Sequence, residues 1–414
     1  MQKILYNISI ALLNVLLKVI SPLNGRAKRL IQGRKGWHGK LKEAVDRYGE
    51  GMLWFHCASL GEFEQGRPVI EQIKNEHPDR KILLTFFSPS GYEVRKKYDK
   101  ADMILYLPSD TRSNASQFIQ TARPCLAVFI KYEFWYNFID ACEKFNVPII
   151  SISTIFRPSQ FFFKPWGGYF RKHLKKFSFF FVQDKKSEEL LAGIGIGNVT
   201  VSGDTRFDRV SEISSNPREI SQAAKFCGDA SIMVLGSTWP SDMKILYPLI
   251  NDPGIPLKFI IAPHHVHEKQ LVEIENALAV PSARFSAAGI AEGLKVLLID
   301  NVGMLYSLYR YATIAYVGGA FHGGLHNILE PAAYGIPVLF GNHPTNSKFR
   351  ETGDLIRTGG GFAVRDGNEL RSVIMRLTNE REFYSSAAQA SRKYISGNTG
   401  ATEKIVTYIG SRLK

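Results

Sequence analysis

The chain has 414 residues, 45% of them hydrophobic, enough for two α/β domains with a core each and too much for a single small binding module. Its 52 Lys and Arg outweigh 38 Asp and Glu, and the net charge of +14 predicts attraction to a polyanion: nucleic acid, an anionic membrane surface or a phosphorylated substrate. The cysteines, Cys57, Cys125, Cys142 and Cys227, stand singly in apolar stretches, without the spacing of a zinc site or the density of a disulfide scaffold, and read as core thiols in a reducing compartment.

Residues 4–23 form an apolar stretch, followed directly by Arg26, Lys28, Arg29, Arg34, Lys35, Lys40 and Lys42. That order is the one a membrane anchor with a cytoplasmic basic flank shows. Asn7, Ser9, Asn14 and Lys18 interrupt the stretch at a high cost in lipid, which favours a helix lying in the headgroup plane over one that spans. Residues 21–24 lack a small-x-small cleavage pattern and the charges follow the apolar run, so the segment is expected to be retained. Residues 1–35 are accordingly expected to be a membrane-associated helix with its basic flank.

Beyond it, short β-branched and aromatic runs alternate with helix-length polar segments, a rhythm that predicts parallel sheets of βαβ units. The strand candidates are 52–58, 81–87, 103–107, 126–130, 149–153, 179–182 and 199–202, and then 232–235, 258–261, 295–299, 314–317 and 338–340. The stretch 211–228, with Ser-Ser-Asn-Pro and no strand character, places a domain junction near residue 215. The expectation is an α/β protein of two Rossmann-like domains, 36–214 and 215–414, whose parallel sheets face a central cleft, with ligands beyond the carboxyl ends of the strands. Residues 380–414 read as one or two helices that cross back over that cleft.

The densest cluster runs from Tyr316 to Phe340, Y-V-G-G-A-F-H-G-G-L-H-N-I-L-E-P-A-A-Y-G-I-P-V-L-F. A strand ends in Gly318 and Gly319, a second pair (Gly323, Gly324) and Asn327 lead into a helix containing Glu330, and G-I-P starts the next strand. Glycine pairs let backbone approach a ligand, and free N–H groups at a helix start attract an anion. A nucleotide phosphate there, with Glu330 one turn inside to bind ribose hydroxyls, is the physical reading. G-x-G-x-x-G is absent, which weighs against a dehydrogenase.

This segment resembles the donor-site motif of GT-B glycosyltransferases, and in the form G-G-x-x-x-G-G-x-H-N-x-L-E-P-A it is similar to the family of 3-deoxy-D-manno-octulosonic acid (Kdo) transferases. Further pieces match that family in order: Ala58-Ser59-Leu-Gly61-Glu62, Lys131-Tyr-Glu133-Phe-Trp-Tyr-Asn137, Gly203-Asp-Thr-Arg206-Phe-Asp208, Gly236-Ser237-Thr238 and Pro263-His264-His265. The match covers the chain from about residue 25 onward. It implies an acceptor-binding first domain, a donor-binding second domain, and transfer of Kdo from CMP-Kdo to a lipid A precursor (lipid IVA) at the cytoplasmic face of a bacterial inner membrane.

Glu62 sits where a strand turns into a helix, beside Ser59 and Gly61, where a helix N-terminus favours the ionised carboxylate that a general base needs. The resemblance makes it the catalytic base and places Glu133 in the active site. Trp135 and Tyr136 read as core. Arg157, Arg206 and Asp208 follow strands, and a guanidinium there suits a carboxylate or a phosphate. Relatives often carry Gly-Asn-x-Lys-Phe-Asp where this chain has Gly-Asp-Thr-Arg-Phe-Asp. Ser237 and Thr238 are expected to meet a donor phosphate. His264 and His265, with His267 nearby, lack the ligand spacing of zinc; His264 stands where the family usually has an arginine near the nucleotide.

The chain has no D-x-D triplet, so no metal or other cofactor is expected, and leaving-group charge must be met by backbone N–H groups, helix dipole and basic side chains. Direct attack by a hydroxyl that Glu62 deprotonates implies inversion. Phe161, Phe162, Phe163 and Trp166, interleaved with Lys164, Arg171 and Lys172, either dip toward lipid or form a buried cluster. Two other readings stand beside this one: a GT-B enzyme using a UDP- or GDP-sugar, or a UDP-sugar 2-epimerase, and a non-enzymatic basic protein binding membrane or nucleic acid. No RNA-binding aromatic motif or helix-turn-helix pattern supports nucleic acid as a partner.

Overall fold

The computed structural model describes residues 2–287 and 292–413. It divides into two compact units, one made of the chain through Asp208 together with the segment from Thr399, the other of Arg209–Asn398. The junction thus lies a few residues before the expected position near 215, inside the helix Thr205–Ser215. Polar sequence at 211–228 suggests a linker, but the chain changes unit within a continuous helix.

The first unit holds strands β1 (Leu53–Cys57), β2 (Ile82–Phe86), β3 (Met103–Tyr106), β4 (Leu126–Ile130), β5 (Ile149–Thr154), β6 (Phe179–Val182) and β7 (Val199–Val201). They form one sheet in the order β3-β2-β1-β4-β5-β6-β7, with parallel pairing throughout. The second unit holds β8 (Ile232–Thr238), β9 (Lys258–Pro263), β10 (Ser282–Arg284), β11 (Val296–Leu298), β12 (Ile314–Val317), β13 (Val338–Gly341) and β14 (Gly361–Val364), in the order β10-β11-β9-β8-β12-β13-β14, again parallel. Parallel strands are covered on both faces and so read as continuous apolar runs. β1, β2, β4 and β5 are buried along their whole length, between one layer built on Trp54, Phe118, Phe129 and Phe138 and another built on Phe55, Phe63, Phe86 and Ile409.

In each sheet the strand order reverses beside the first strand: between β1 and β4, and between β8 and β12. Successive connections leave such a point toward opposite faces and open a crevice at the carboxyl ends of the strands.

The amino-terminal helix Gln2–Ile20 is long and apolar enough to cross a bilayer. It is nevertheless tied to the first unit along one face: Lys3 pairs with Asp140 at 2.9 Å, Tyr6 donates to Asp110, Asn137 Nδ2 donates to Asn7 at 3.0 Å, and Ser109 Oγ donates to Asn14 at 2.7 Å. Ile10 is buried on that face, while Ile4, Leu5, Ile8, Leu12, Val15, Leu16 and Val19 stand exposed on the rest of the helix. Of the polar residues that interrupt the apolar run, Asn7 and Asn14 are docking residues, while Ser9 and Lys18 are exposed.

Candidate active site

At the switch point of the first sheet, β1 ends in Cys57 and the helix Leu60–Glu76 begins two residues after Ala58, with Ser59 as its extended N-cap. The Ser59 hydroxyl donates to Glu62 Oε2 at 2.5 Å. Ser-x-x-Glu is capping-box spacing, yet here the hydroxyl holds the carboxylate itself. Glu62 is buried in the first turn, where the helix dipole favours its charge.

Beside it, β4 is followed by Lys131 in a left-handed conformation (φ 69°), a strained state for a residue with a Cβ, which turns the chain sharply after the strand. The turn presents Tyr132 and Glu133. Burial, then the negative charge of Glu62, pushes the Glu133 carboxyl up to about 7 against the pull of Lys131. The Tyr132 hydroxyl is also raised, by burial and by the charges of Glu62 and Glu133, and is opposed by Arg157 beyond β5. Glu62, Tyr132, Glu133 and Arg157 therefore share one electrostatic environment. Trp135 belongs to the floor: its indole N–H donates to His56 Nε2 at 3.0 Å and its ring stacks on Phe87 at 4.7 Å, while Tyr136 is buried. Burial pushes His56 down to about 3, so it is the neutral acceptor this bond requires.

Two expected ligand residues have other employment. Asp208 accepts from the backbone N–H of Gly400 at 2.5 Å and from Thr402 N and Oγ1 at 2.7 Å each, so both its oxygens cap the helix Ala401–Arg412. An acceptor-binding role for Asp208 is corrected to a structural one. Arg206 pairs with the buried Asp204 at 2.8 Å, and Gln65 Nε2 donates to the same carboxylate at 3.2 Å. That guanidinium is held at the end of β7, where it neutralises a buried acid.

In the second unit, β8 ends with Ser237 in the left-handed region (φ 53°) and a register shift against β9. β12 is followed directly by Gly318 and Gly319. A Cβ on Gly318 would lie 2.5 Å from the Ser237 carbonyl oxygen and 2.7 Å from Thr238 Cα, and one on Gly319 would meet the Gly324 carbonyl oxygen at 2.4 Å. The first glycine pair thus lets two strand ends touch, whereas Gly323 and Gly324 face open space.

Asp242, which the sequence reading misses, organises this loop from below. It is fully buried, and its Oδ2 accepts from Trp239 N and Gly319 N at 2.9 Å each while Oδ1 accepts from the Tyr316 hydroxyl at 2.9 Å. Trp-Pro-Ser-Asp carries the usual signal of a helix start with an acid at its third position; the tie to the glycine loop is not visible in it.

Four amides of the loop that leads into the next helix are engaged within the loop. His322 N and Gly324 N donate to the Gly319 carbonyl at 3.0 Å, Gly323 N to Ala320 O at 3.1 Å and His326 N to Gly318 O at 3.2 Å. The helix that follows, Leu329–Ala333, has five residues, too short for an appreciable dipole. Asn327 is engaged with it, accepting from Leu329 N at 3.2 Å and donating to Glu330 Oε1 at 3.1 Å. Side chains surround the loop instead. His264 and His322 each stack on the Trp239 indole, at 4.4 Å and 4.0 Å, and Trp239 Nε1 donates to His326 at 3.1 Å. His265 packs edge-on against His264 at 4.5 Å and stacks with His267 at 5.5 Å. Among the described residues, no three His, Cys, Asp or Glu side chains converge as metal ligands.

Comparison with known proteins adds to this geometry. The profile of the family described as "3-Deoxy-D-manno-octulosonic-acid transferase (kdotransferase)" matches residues 28–209. The 3-deoxy-D-manno-octulosonic acid transferase of Aquifex aeolicus is 29% identical over 341 residues, 80% of this chain and 88% of the relative, and that of Chlamydophila psittaci is 25% identical over 80% of this chain and 78% of its own. The chain belongs to the Kdo transferase family. As a Kdo transferase it is a glycosyltransferase, with the expected pair of Rossmann-like sheets. Two solved structures agree on fold: a UDP-GlcNAc 2-epimerase of Neisseria meningitidis (TM-score 0.61, 18% identity, 87% of this chain and 100% of that one) and MurG of Acinetobacter baumannii (0.55, 14%, 87% and 99%).

Proposed function

We propose that this transferase moves Kdo from CMP-Kdo to a hydroxyl of a lipid A precursor, with inversion at the anomeric carbon and without a metal. The observation that carries the reading is Glu62, a buried acid at the switch point of the first sheet, steered by the Ser59 hydroxyl and placed at a helix start that favours its charge. The acceptor hydroxyl gives its proton to Glu62 as its oxygen bonds to the anomeric carbon; the bond from that carbon to the CMP phosphate oxygen breaks, and CMP leaves with the electron pair. One base suffices for this displacement. Glu133 and Arg157 border the same acid and suit acceptor hydroxyls and anionic groups of the sugar or the glycolipid. Ser237, Thr238, His264 and the 318–330 loop supply the donor side.

The exposed apolar face of the amino-terminal helix supports attachment to a leaflet in the headgroup plane, since Asn7 and Asn14 are held by the protein on the opposite side. Exposed Phe161 and Trp166 adjoin it through Gln2, which donates to the Trp166 carbonyl at 2.8 Å, and Lys164, Arg171, Lys172 and Lys175 line a surface cavity of about 660 Å³ nearby. Aromatic and cationic side chains in that combination favour an anionic interface. We assign the acting leaflet to the cytoplasmic face of the inner membrane.

The test is product analysis by mass spectrometry after incubation with CMP-Kdo and a tetra-acyl lipid A precursor, with and without EDTA. A Kdo adduct formed equally in both is expected. No adduct, alongside calorimetric binding of UDP or GDP in preference to CMP, would replace this reading with that of a UDP- or GDP-sugar enzyme.

A further inference from the structure

The donor side poses a charge problem. A phosphate arriving at the 318–330 loop finds the amides of His322, Gly323, Gly324 and His326 already bonded within the loop, a five-residue helix behind them, and no Lys or Arg in the loop itself. What stands at the carboxyl ends of β8, β9 and β12 is a group of imidazoles gathered on one indole. His264 and His322 are exposed rings that stack on Trp239, His326 receives the indole N–H, and His265 touches His264. The Thr238 hydroxyl, one residue before Trp239, is fully buried and has no hydrogen-bond partner.

We propose that His264 and His322 bind the donor phosphate as imidazolium ions, each taking its proton as the nucleotide binds, so that in this enzyme donor affinity is coupled to proton uptake. The inference rests on the donor reading given above. Without a ligand His264 and His326 resist charging: His264 is held below its ordinary pKa by burial and by His265 and His322, and His326 is pushed down to about 4 by burial and by His264. A phosphate reverses the balance, since an anion beside an imidazole favours its charged form, and a protonated ring stacked on an indole gains a cation–π contact.

The other charged groups on the surrounding elements leave the charging to the imidazoles. On the helix Pro240–Ile250, Asp242 is engaged by Trp239, Gly319 and Tyr316, and Lys244 is on the exposed side. On the helix Glu268–Ala277, Glu268 pairs with Arg284 at 2.8 Å and Lys269 is exposed. Glu330 accepts from Asn327.

The test is calorimetry of CMP binding to the full chain at pH 7.5, where the free phosphate is dianionic, in two buffers of different ionisation enthalpy. By linkage, uptake of about one to two protons per CMP, up to one for each ring, is expected, with affinity falling at least about tenfold between pH 6.5 and 8. Cytidine, which lacks the phosphate, should bind with no uptake. His264→Gln and His322→Gln alter exposed rings and should keep the wild-type melting temperature, yet each should lower the uptake and flatten the pH dependence. CMP binding with no proton uptake, or uptake unchanged in both variants, overturns the inference and leaves the donor reading standing. No CMP binding at any pH, with UDP or GDP bound instead, removes the donor reading and the inference with it.

Discussion

Glu62 and Glu133 act on each other: the negative charge of Glu62, added to burial, holds the Glu133 carboxyl near pH 7. An unfolded Glu gives up its proton near its ordinary value of 4.5, whereas the folded chain keeps this one to about 7. Between those values the native state binds more protons, so stability falls as pH rises through that window. Glu133→Gln should remove this slope, and its melting temperature should gain on wild type as pH goes from 5 to 8. In Glu62→Gln, where one raising charge is gone, the Glu133 carboxyl should titrate lower by carbon-detected NMR; an unmoved titration would separate the two residues.

Glu62→Gln should lower turnover by about 10²- to 10⁴-fold, the usual contribution of a positioned general base, with little change in thermal stability. Ser59→Ala, which frees the carboxylate without removing it, should cost about tenfold in kcat, in line with a hydrogen bond to a charged group. Steady-state kinetics with saturating acceptor measures both, and near wild-type turnover in Glu62→Gln would end its assignment as base.

Asp208→Ala should destabilise the first unit by about 1–2 kcal/mol, as expected when a helix loses its cap, and leave acceptor KM unchanged. Urea titration beside acceptor kinetics decides the point. A raised KM with unchanged stability would return Asp208 to the ligand.

The two glycine pairs should answer differently to alanine. At Gly318 the new methyl meets backbone atoms at 2.5 and 2.7 Å that cannot rotate away, so a loss of about 1–3 kcal/mol is expected in the second unit. Gly324 looks onto open space, and Gly324→Ala should stay within about 0.5 kcal/mol of wild type by chemical denaturation.

Leu12 and Leu16 are exposed at 63% and 53% on the outer face of the amino-terminal helix. Since burying a Leu side chain gains about 1.5–3 kcal/mol, the double change to Glu should reduce co-sedimentation with phosphatidylglycerol vesicles at least about tenfold. Activity on a detergent-dispersed acceptor should survive. Unchanged sedimentation would move the membrane contact elsewhere.

Most of the sheet architecture is legible in the residues. β4, β6 and β12 lie where their apolar runs predict, because strands buried on both faces leave no ambiguity of period. β10 and β14 escape notice: one is Ser-Ala-Arg, the other opens on glycine, and both are short strands at sheet edges. At the site, Ser59 and Glu62 are legible because their contact spans three residues. Asp242 is not, since its bonds to Tyr316 and Gly319 span 74 and 77 positions, and Asp208 misleads for the same reason, its partners lying 192 and 194 positions away. His322 and His326 sit inside the glycine motif, but their attachment to Trp239 depends on strand order.

The segment beyond Thr399, clasped by Asp208, makes the first unit discontinuous in the chain. During synthesis its strands leave the ribosome first, yet Ile405 and Ile409 of its core arrive only after the whole second unit has been made. The half that emerges earliest is therefore the last to close, and until then an apolar layer over β1 and β2 lacks its cover. Chaperone dependence of the nascent chain, and poor solubility of any fragment cut before Thr399, follow from that order of assembly.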